Sequence, residues 1–224
     1  AYQHAAMFRL QHAIQRNLSA VCNPDFILTA GPIGKGQLEG RVFFDRNAIA
    51  VLGSARASSC IEMTPVHIPV PNIRIASKKK TCLVLPEGIE SECNLLFDFS
   101  LACALANPEI QFIWRLHPLQ SFESLKKRNP NMNSLPGNIY LSEQSLTVDI
   151  ALSQFALYRG TTAVISAVKS GLRPIYLQIP GEMTIDPLYE LKNWKLIVSG
   201  IDELSECLKE SPRESEVQDN EMRA

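Results

Sequence analysis

From residue 81 the chain falls into short apolar runs separated by amphipathic stretches, a pattern that predicts alternating strands and helices. TCLVLPEG (81–88), IQFIWRLHP (110–118), GNIYLSE (137–143), QFALYRG (154–160), RPIYLQIP (173–180) and the shorter WKLIVSG (194–200) read as strands. Between and after them, residues 90–107, 121–129, 146–153, 161–171 and 201–210 read as helices. Strands at this spacing with intervening helices predict an α/β domain built on a parallel, doubly wound sheet.

Upstream the pattern is sparser. Residues 6–18 can form a helix with Met7, Leu10, Ile14 and Leu18 along one stripe. PDFILTAG (24–31) and AIAVLGSAR (48–56) read as strands, joined by a turn that leads into a short helix or an irregular segment. Two strands with one connection make half of a parallel unit, so residues 1–60 are expected to be the end of a second Rossmann-like domain whose beginning is missing. Residues 61–80, with three prolines followed by Lys78, Lys79 and Lys80, read as a linker or a solvated loop. Residues 81–210 form the main domain, and the polar stretch 211–224 reads as a disordered tail.

Composition narrows this picture by exclusion. The chain has 224 residues with 22 Lys plus Arg against 23 Asp plus Glu, a formal net charge of -1, so no bulk field favours nucleic acid. The six cysteines contain no C-x-x-C pair, which argues against a zinc knuckle and a disulfide framework and fits a reducing cytoplasm. No apolar run approaches the roughly 18 residues needed to span a bilayer, which leaves a soluble protein or one peripheral at the inner membrane.

In a parallel sheet the carboxyl ends of the strands share one rim, and ligands bind there. That rim collects Pro86-Glu87-Gly88, Arg115-Leu116-His117-Pro118, Ser142-Glu143 and Arg159-Gly160-Thr161-Thr162. Pro118 cannot donate to a ladder, so the strand must stop near His117, which is either a half-buried residue closing a strand end or a ligand-binding side chain. Gly160 lets the backbone turn sharply and approach a ligand. Thr161 and Thr162 fall at a helix start, where unpaired N–H groups suit phosphate, although Thr161 could equally be an N-cap. The motif is neither a P-loop nor G-x-G-x-x-G, and no D-x-D pair is present to hold a divalent metal, so no metal and no cofactor is expected. Asp98, Trp194 and the Lys78–Lys80 run read as a helix surface, a packing edge and a solvated linker, and Asp186, just beyond a strand, as a turn-forming Asp-Pro in preference to a residue facing the sugar.

LPEG with acids soon after it, WRLHP and YRGTTAVISAVKSGLRPIYL occur in an order and spacing that resemble the donor-binding half of GT-B glycosyltransferases of bacterial surface-polysaccharide biosynthesis, of the sialyltransferase-like and Kdo-transferase-like kind. YQHA, PDFILTAG and VLGSAR resemble the end of the acceptor domain in these enzymes and in the related CDP-glycerol glycerophosphotransferases. The likeness spans most of the chain, with Thr-Thr where a serine pair is frequent.

The resemblance implies that His117 binds the donor phosphate and stabilises the leaving nucleotide, that Thr161 and Thr162 contact the same phosphate, and that Glu87 and Gly88 face the nucleotide or its sugar. Arg115, Arg159 and Gly160 complete the expected substrate-binding set. The implied partners are a nucleotide-sugar donor, with CMP-Kdo or CMP-sialic acid first, and a glycan or lipid-linked glycan acceptor. UDP-sugar or CDP-glycerol donors, a sugar-nucleotide epimerase and a non-enzymatic nucleotide-binding domain are the alternatives. Glu87, Glu90 and Glu92 could pass for epimerase acids, but their spacing suits a helix's first turn. No general base or nucleophile from the acceptor side can be assigned, and His4 is either a remnant of that side or a surface histidine. Because a GT-B site requires two complete domains, these 224 residues alone are expected to show little or no transferase activity, which a turnover assay checks.

Overall fold

The computed structural model describes residues 1–3, 19, 21–39, 48–53 and 79–209. The helix expected over 6–18, His4, most of the linker and the tail lie outside the described residues. The chain divides into two compact units, Ala1–His67 and Ile68–Ala224.

In the first unit the described strands β1 (Tyr2–Gln3), β2 (Ile27–Thr29) and β3 (Ile49–Val51) form a parallel sheet in the order β1-β2-β3, with helix α1 (Pro32–Glu39) between the last two strands. Pro32 opens α1, where its missing N–H removes no helical bond. Among the described residues of this unit, Ile27, Leu38 and Ile49 are buried apolar side chains. The two strands are shorter than the sequence pattern suggests. Two-residue β1 has no periodicity by which a sequence could declare it.

The second unit runs β4 (Thr81–Leu85), α2 (Glu90–Ala106), β5 (Gln111–Arg115), α3 (Phe122–Arg128), a 3-10 turn (Pro130–Asn133), β6 (Ile139–Ser142), α4 (Leu146–Ala151), β7 (Phe155–Tyr158), α5 (Ala163–Lys169), β8 (Arg173–Leu177), β9 (Leu196–Val198) and α6 (Ile201–Lys209). Its six described strands are all parallel, in the order β6-β5-β4-β7-β8-β9. The sheet is doubly wound, as its sequence pattern predicts. Cys82, Val84, Phe112 and Trp114 pack with α2, α3 and α6 on one face, while Leu83, Leu85 and Ile113 pack with α4 and α5 on the other. Burial on both faces explains why these strands are continuously apolar.

Local signals set the ends of the elements. Pro174 stands inside β8, but Arg173 donates toward β7 and pairing with β9 begins only at Ile175, so the missing N–H falls on the unpaired side. Gly171, at φ 92°, closes α5, with its N–H bonded to Val168 O and the Leu172 N–H to Ala167 O. Lys80 corrects its reading as a solvated linker residue: its Nζ donates to Leu208 O and Lys209 O at 2.8 Å each, capping the carboxyl end of α6. Trp194, expected at a packing edge, is fully buried. Asp98 on α2 accepts from Asn129 Nδ2 at 2.7 Å. Cys82, Cys93 and Cys103 are buried thiols of the core, and burial pushes Cys93 and Cys103 each up to about 12.

The centre of the first face is a stack of Phe97 on Trp114, with ring centroids 4.3 Å apart and planes 10° from parallel. Both side chains have no exposed surface. Trp114→Ala should therefore lower stability by about 3–5 kcal/mol in urea unfolding, through lost burial and the cavity left against Phe97.

Candidate functional site

The strand order places β4 beside β7, and the chain leaves these neighbours in opposite directions, toward β5 from one and toward β8 from the other. The loops that follow them therefore part and leave a crevice at their carboxyl ends. Leu85 and Tyr158 are register partners, so Pro86-Glu87-Gly88 and Arg159-Gly160-Thr161 face each other across it. Residues 73 positions apart meet there for a topological reason alone.

Two glycines make the approach close enough. A Cβ built on Gly160 would lie 1.9 Å from Glu87 Oε1 and 2.9 Å from Ile185 Cδ1, and one on Gly88 would lie 2.9 Å from His117 Cε1 and 3.0 Å from Nδ1. Neither glycine has a positive φ. Gly160 thus supplies clearance for Glu87, whereas its sequence context suggests a sharp backbone turn. Gln120 fastens the neighbouring loop, donating from Nε2 to Gly88 O at 2.6 Å.

His117 is half-buried, its ring seated on Gly88. Its Nδ1 accepts the Leu119 N–H at 3.2 Å. A ring nitrogen that accepts carries no hydrogen, so the neutral tautomer holds its proton on Nε2 and offers that nitrogen as a donor.

Arg159 is 3% exposed and forms ion pairs with Glu92 through Nη1 and with Glu182 through Nη2. Burial alone would lower its pKa, and the hydrogen bonds and charges of the two glutamates outweigh that and hold it above its ordinary value. Arg115 donates from Nη1 to Asp149 Oδ2 at 2.8 Å and to Gln144 O at 2.5 Å. Asp149 is fully buried and also accepts from Ser142 Oγ. Arg115 thereby ties β5 to the loop after β6, through Ser142 and Gln144. The threonine pair divides: Thr161 is buried and its Oγ1 accepts the Ala163 N–H at 3.3 Å, while Thr162 is exposed.

Glu87 Oε1 and Arg159 Nε are both buried without a hydrogen-bond partner among the described residues. The Glu87 pKa is pushed up, by burial first and the Glu92 charge second, against the opposing pull of Arg159 and the Gly160 backbone. Asp186 organises its loop: buried, it pairs with Lys195 and accepts from Tyr158 O–H and the Leu188 N–H at 2.8 Å each.

Glu87, Gly88, His117, Arg159, Gly160 and Thr161 are thus brought to one crevice, with Arg115 held to the side by Asp149. Sequence reading missed Gln120, Asp149 and Glu182. Asp149 left a signal, since Leu146, Asp149, Ile150 and Ser153 share one helical stripe and an acid there is out of place unless paired. Glu182 left none. Among the described residues, no group of three or more His, Cys, Asp or Glu is arranged to hold a metal ion, and no helix is long and apolar enough to cross a membrane.

No protein-family model matches this sequence, and no curated protein matches it. Solved structures do resemble the fold. UDP-GlcNAc 2-epimerase from Neisseria meningitidis, bound to UDP-GlcNAc, has a TM-score of 0.62 at 14% identity over 91% of this chain and 59% of its own. The epimerase from Methanocaldococcus jannaschii gives 0.60 at 13% identity over 98% and 68%. The glycotransferase of kitacinnamycin gives 0.57 at 14% identity over 88% and 48%. The chain spans about half the length of that transferase. The fold is therefore that of GT-B glycosyltransferases and of the epimerases that share their architecture.

Two outcomes are expected from the crevice. Gly160→Ala should lower the melting temperature, and adding Glu87→Ala should recover most of the loss, with a coupling of about 1–2 kcal/mol in the double-mutant cycle. Since the folded state raises the Glu87 pKa, it binds more proton than the unfolded chain between the ordinary and the raised value. Stability should fall as pH rises through that window, and Glu87→Gln should flatten that part of the profile of melting temperature against pH.

Proposed function

We propose that this chain carries the donor-binding part of a metal-independent glycosyltransferase that uses a nucleotide-activated sugar. The donor we favour is a CMP-linked ulosonic acid, CMP-Kdo or CMP-sialic acid, and the acceptor a surface polysaccharide or a lipid-linked glycan. The observation that carries this reading is His117, seated on Gly88 at the sheet's switch point with Nε2 as its free donor. Solved proteins of this fold that hold UDP-GlcNAc support a nucleotide sugar as the ligand class.

In glycosyl transfer the bond between the anomeric carbon and the phosphate oxygen breaks, and its electron pair goes to that oxygen. A hydrogen bond from His117 Nε2 to the departing phosphate strengthens as the charge grows, so it lowers the barrier more than it stabilises bound donor. Thr162, an exposed residue, lies at the start of α5, where its hydroxyl would flank the same phosphate. Glu87, beside Gly160 at the crevice, is placed to meet a sugar hydroxyl.

An epimerase is the second reading, and Glu87 favours it, because a carboxyl at the crevice whose pKa is raised by burial and by Glu92 is a candidate for proton transfer. Of the three neighbouring acids, however, Glu90 pairs with Arg128 and Glu92 with Arg159. Of these three acids only Glu87 is without an ion pair among the described residues, so inversion of a sugar carbon would need His117 or another group as the second proton-transfer residue.

Thermal shift with CMP, CDP, UDP and GDP separates the donors. Nucleotide at 100 times its dissociation constant should add roughly 2.7 kcal/mol and several degrees to the melting temperature, and His117→Ala should abolish the effect. Stabilisation by CMP fits the ulosonic-acid donor, by UDP a different sugar nucleotide, and by none refutes the donor-site reading. Incubation of the chain with UDP-GlcNAc, followed by NMR, tests the epimerase, which alone would invert the sugar.

A further inference from the structure

The loop between β8 and β9, residues 178–195, is tied down unequally along its length, and its near half closes on itself in a turn in which Glu182 N–H donates to Ile179 O at 3.2 Å. The far half is held by Asp186, buried against Lys195, Tyr158 and the Leu188 N–H, and by Tyr176 O–H, which accepts from Thr184 Oγ1 and the Ile185 N–H at 3.2 Å each. The near half is held to the crevice by the ion pair of Glu182 with Arg159 Nη2. Glu182 is 50% exposed where Arg159 is 3% exposed. Gly181 beside it has φ +83°, a conformation from which a glycine swings at little cost. Ile185 of the same loop packs against Gly160.

The two ends of this ion pair are not equivalent. Glu182 can leave for water, because half of its surface is already hydrated. Arg159 cannot be left with one partner in a buried position without a large cost, so Glu182 leaves only in exchange for another anion. Glu92 cannot play the leaving role, being 22% exposed and fixed on the first turn of a 17-residue helix.

We propose that Glu182 is a specificity-determining residue of this crevice: it occupies Arg159 Nη2 in competition with an anionic group of the donor, and donor binding displaces it and loosens the segment 179–183, between the anchored Gln178 and Thr184. The proposal rests on the donor-site reading above. It sets a threshold, since a neutral sugar cannot exchange with Glu182 and a phosphate or sugar carboxylate can.

The test is isothermal titration of the full chain and its Glu182→Gln variant with CMP and UDP, together with amide hydrogen exchange over residues 179–183. Glutamine keeps the shape and removes the competing charge, so the variant should bind nucleotide ~3–10-fold tighter. In the wild type, nucleotide should speed exchange in that loop toward the rate of the variant, whose loop should already exchange fast. If wild type binds and Glu182→Gln binds equally or more weakly, the competition is overturned and the donor site stands. If neither chain binds a nucleotide, the donor reading fails and this role of Glu182 fails with it, whatever the exchange rates show.

Discussion

The buried guanidinium of Arg159 is the constraint on which the candidate site depends. A cation 3% exposed must be neutralised where it stands, because a buried charge left without partners is costly. Glu92 and Glu182 do this from two different segments, the first turn of α2 and the loop after β8. One side chain at the end of β7 therefore fixes the entry of one helix and the course of one loop.

The same arrangement shapes the chemistry of Glu87. Three carboxylates approach one guanidinium, two of them paired with it, so Glu87 meets the Glu92 charge in a partly desolvated position and its pKa rises. Gly160 has no side chain in the space that the Glu87 carboxyl fills. Gly88 admits the His117 ring in the same way, and Gln120 clamps the backbone between them. Acid and imidazole are thus held by glycines, and both could be displaced by a single methyl group.

A sheet buried on both faces leaves only its ends for polar chemistry, and here the carboxyl end is where polar side chains gather. The amino end is closed by packing and capping: Asn138 reaches the carbonyls of Ala104, Asn107 and Ile110, and Lys80 caps α6. At the opposite end Arg115, Asp149 and Ser142 form a buried network that binds β5, β6 and α4 together. These polar groups order the loops of the crevice without themselves competing for its centre.

The order of strands and helices after residue 81 was determined by the sequence alone, because period and punctuation are local properties that the backbone must obey wherever the segment lies. The same local logic marked His117 before Pro118 and Gly160 before two threonines as rim residues. It did not mark β1, which exists only through pairing with β2, nor Glu182, whose loop has no period, and it treated Lys80 as solvated because its partner lies 128 residues away. Only the tertiary structure decided that β4 lies beside β7, that Gly160 makes room for Glu87, that Thr161 is buried and accepts the Ala163 N–H while Thr162 is exposed, and that Arg159 is enclosed by two acids. The physical reason is that each of these depends on which strand lies next to which, and strand order is fixed by packing both faces of the sheet at once, a condition that no single segment contains.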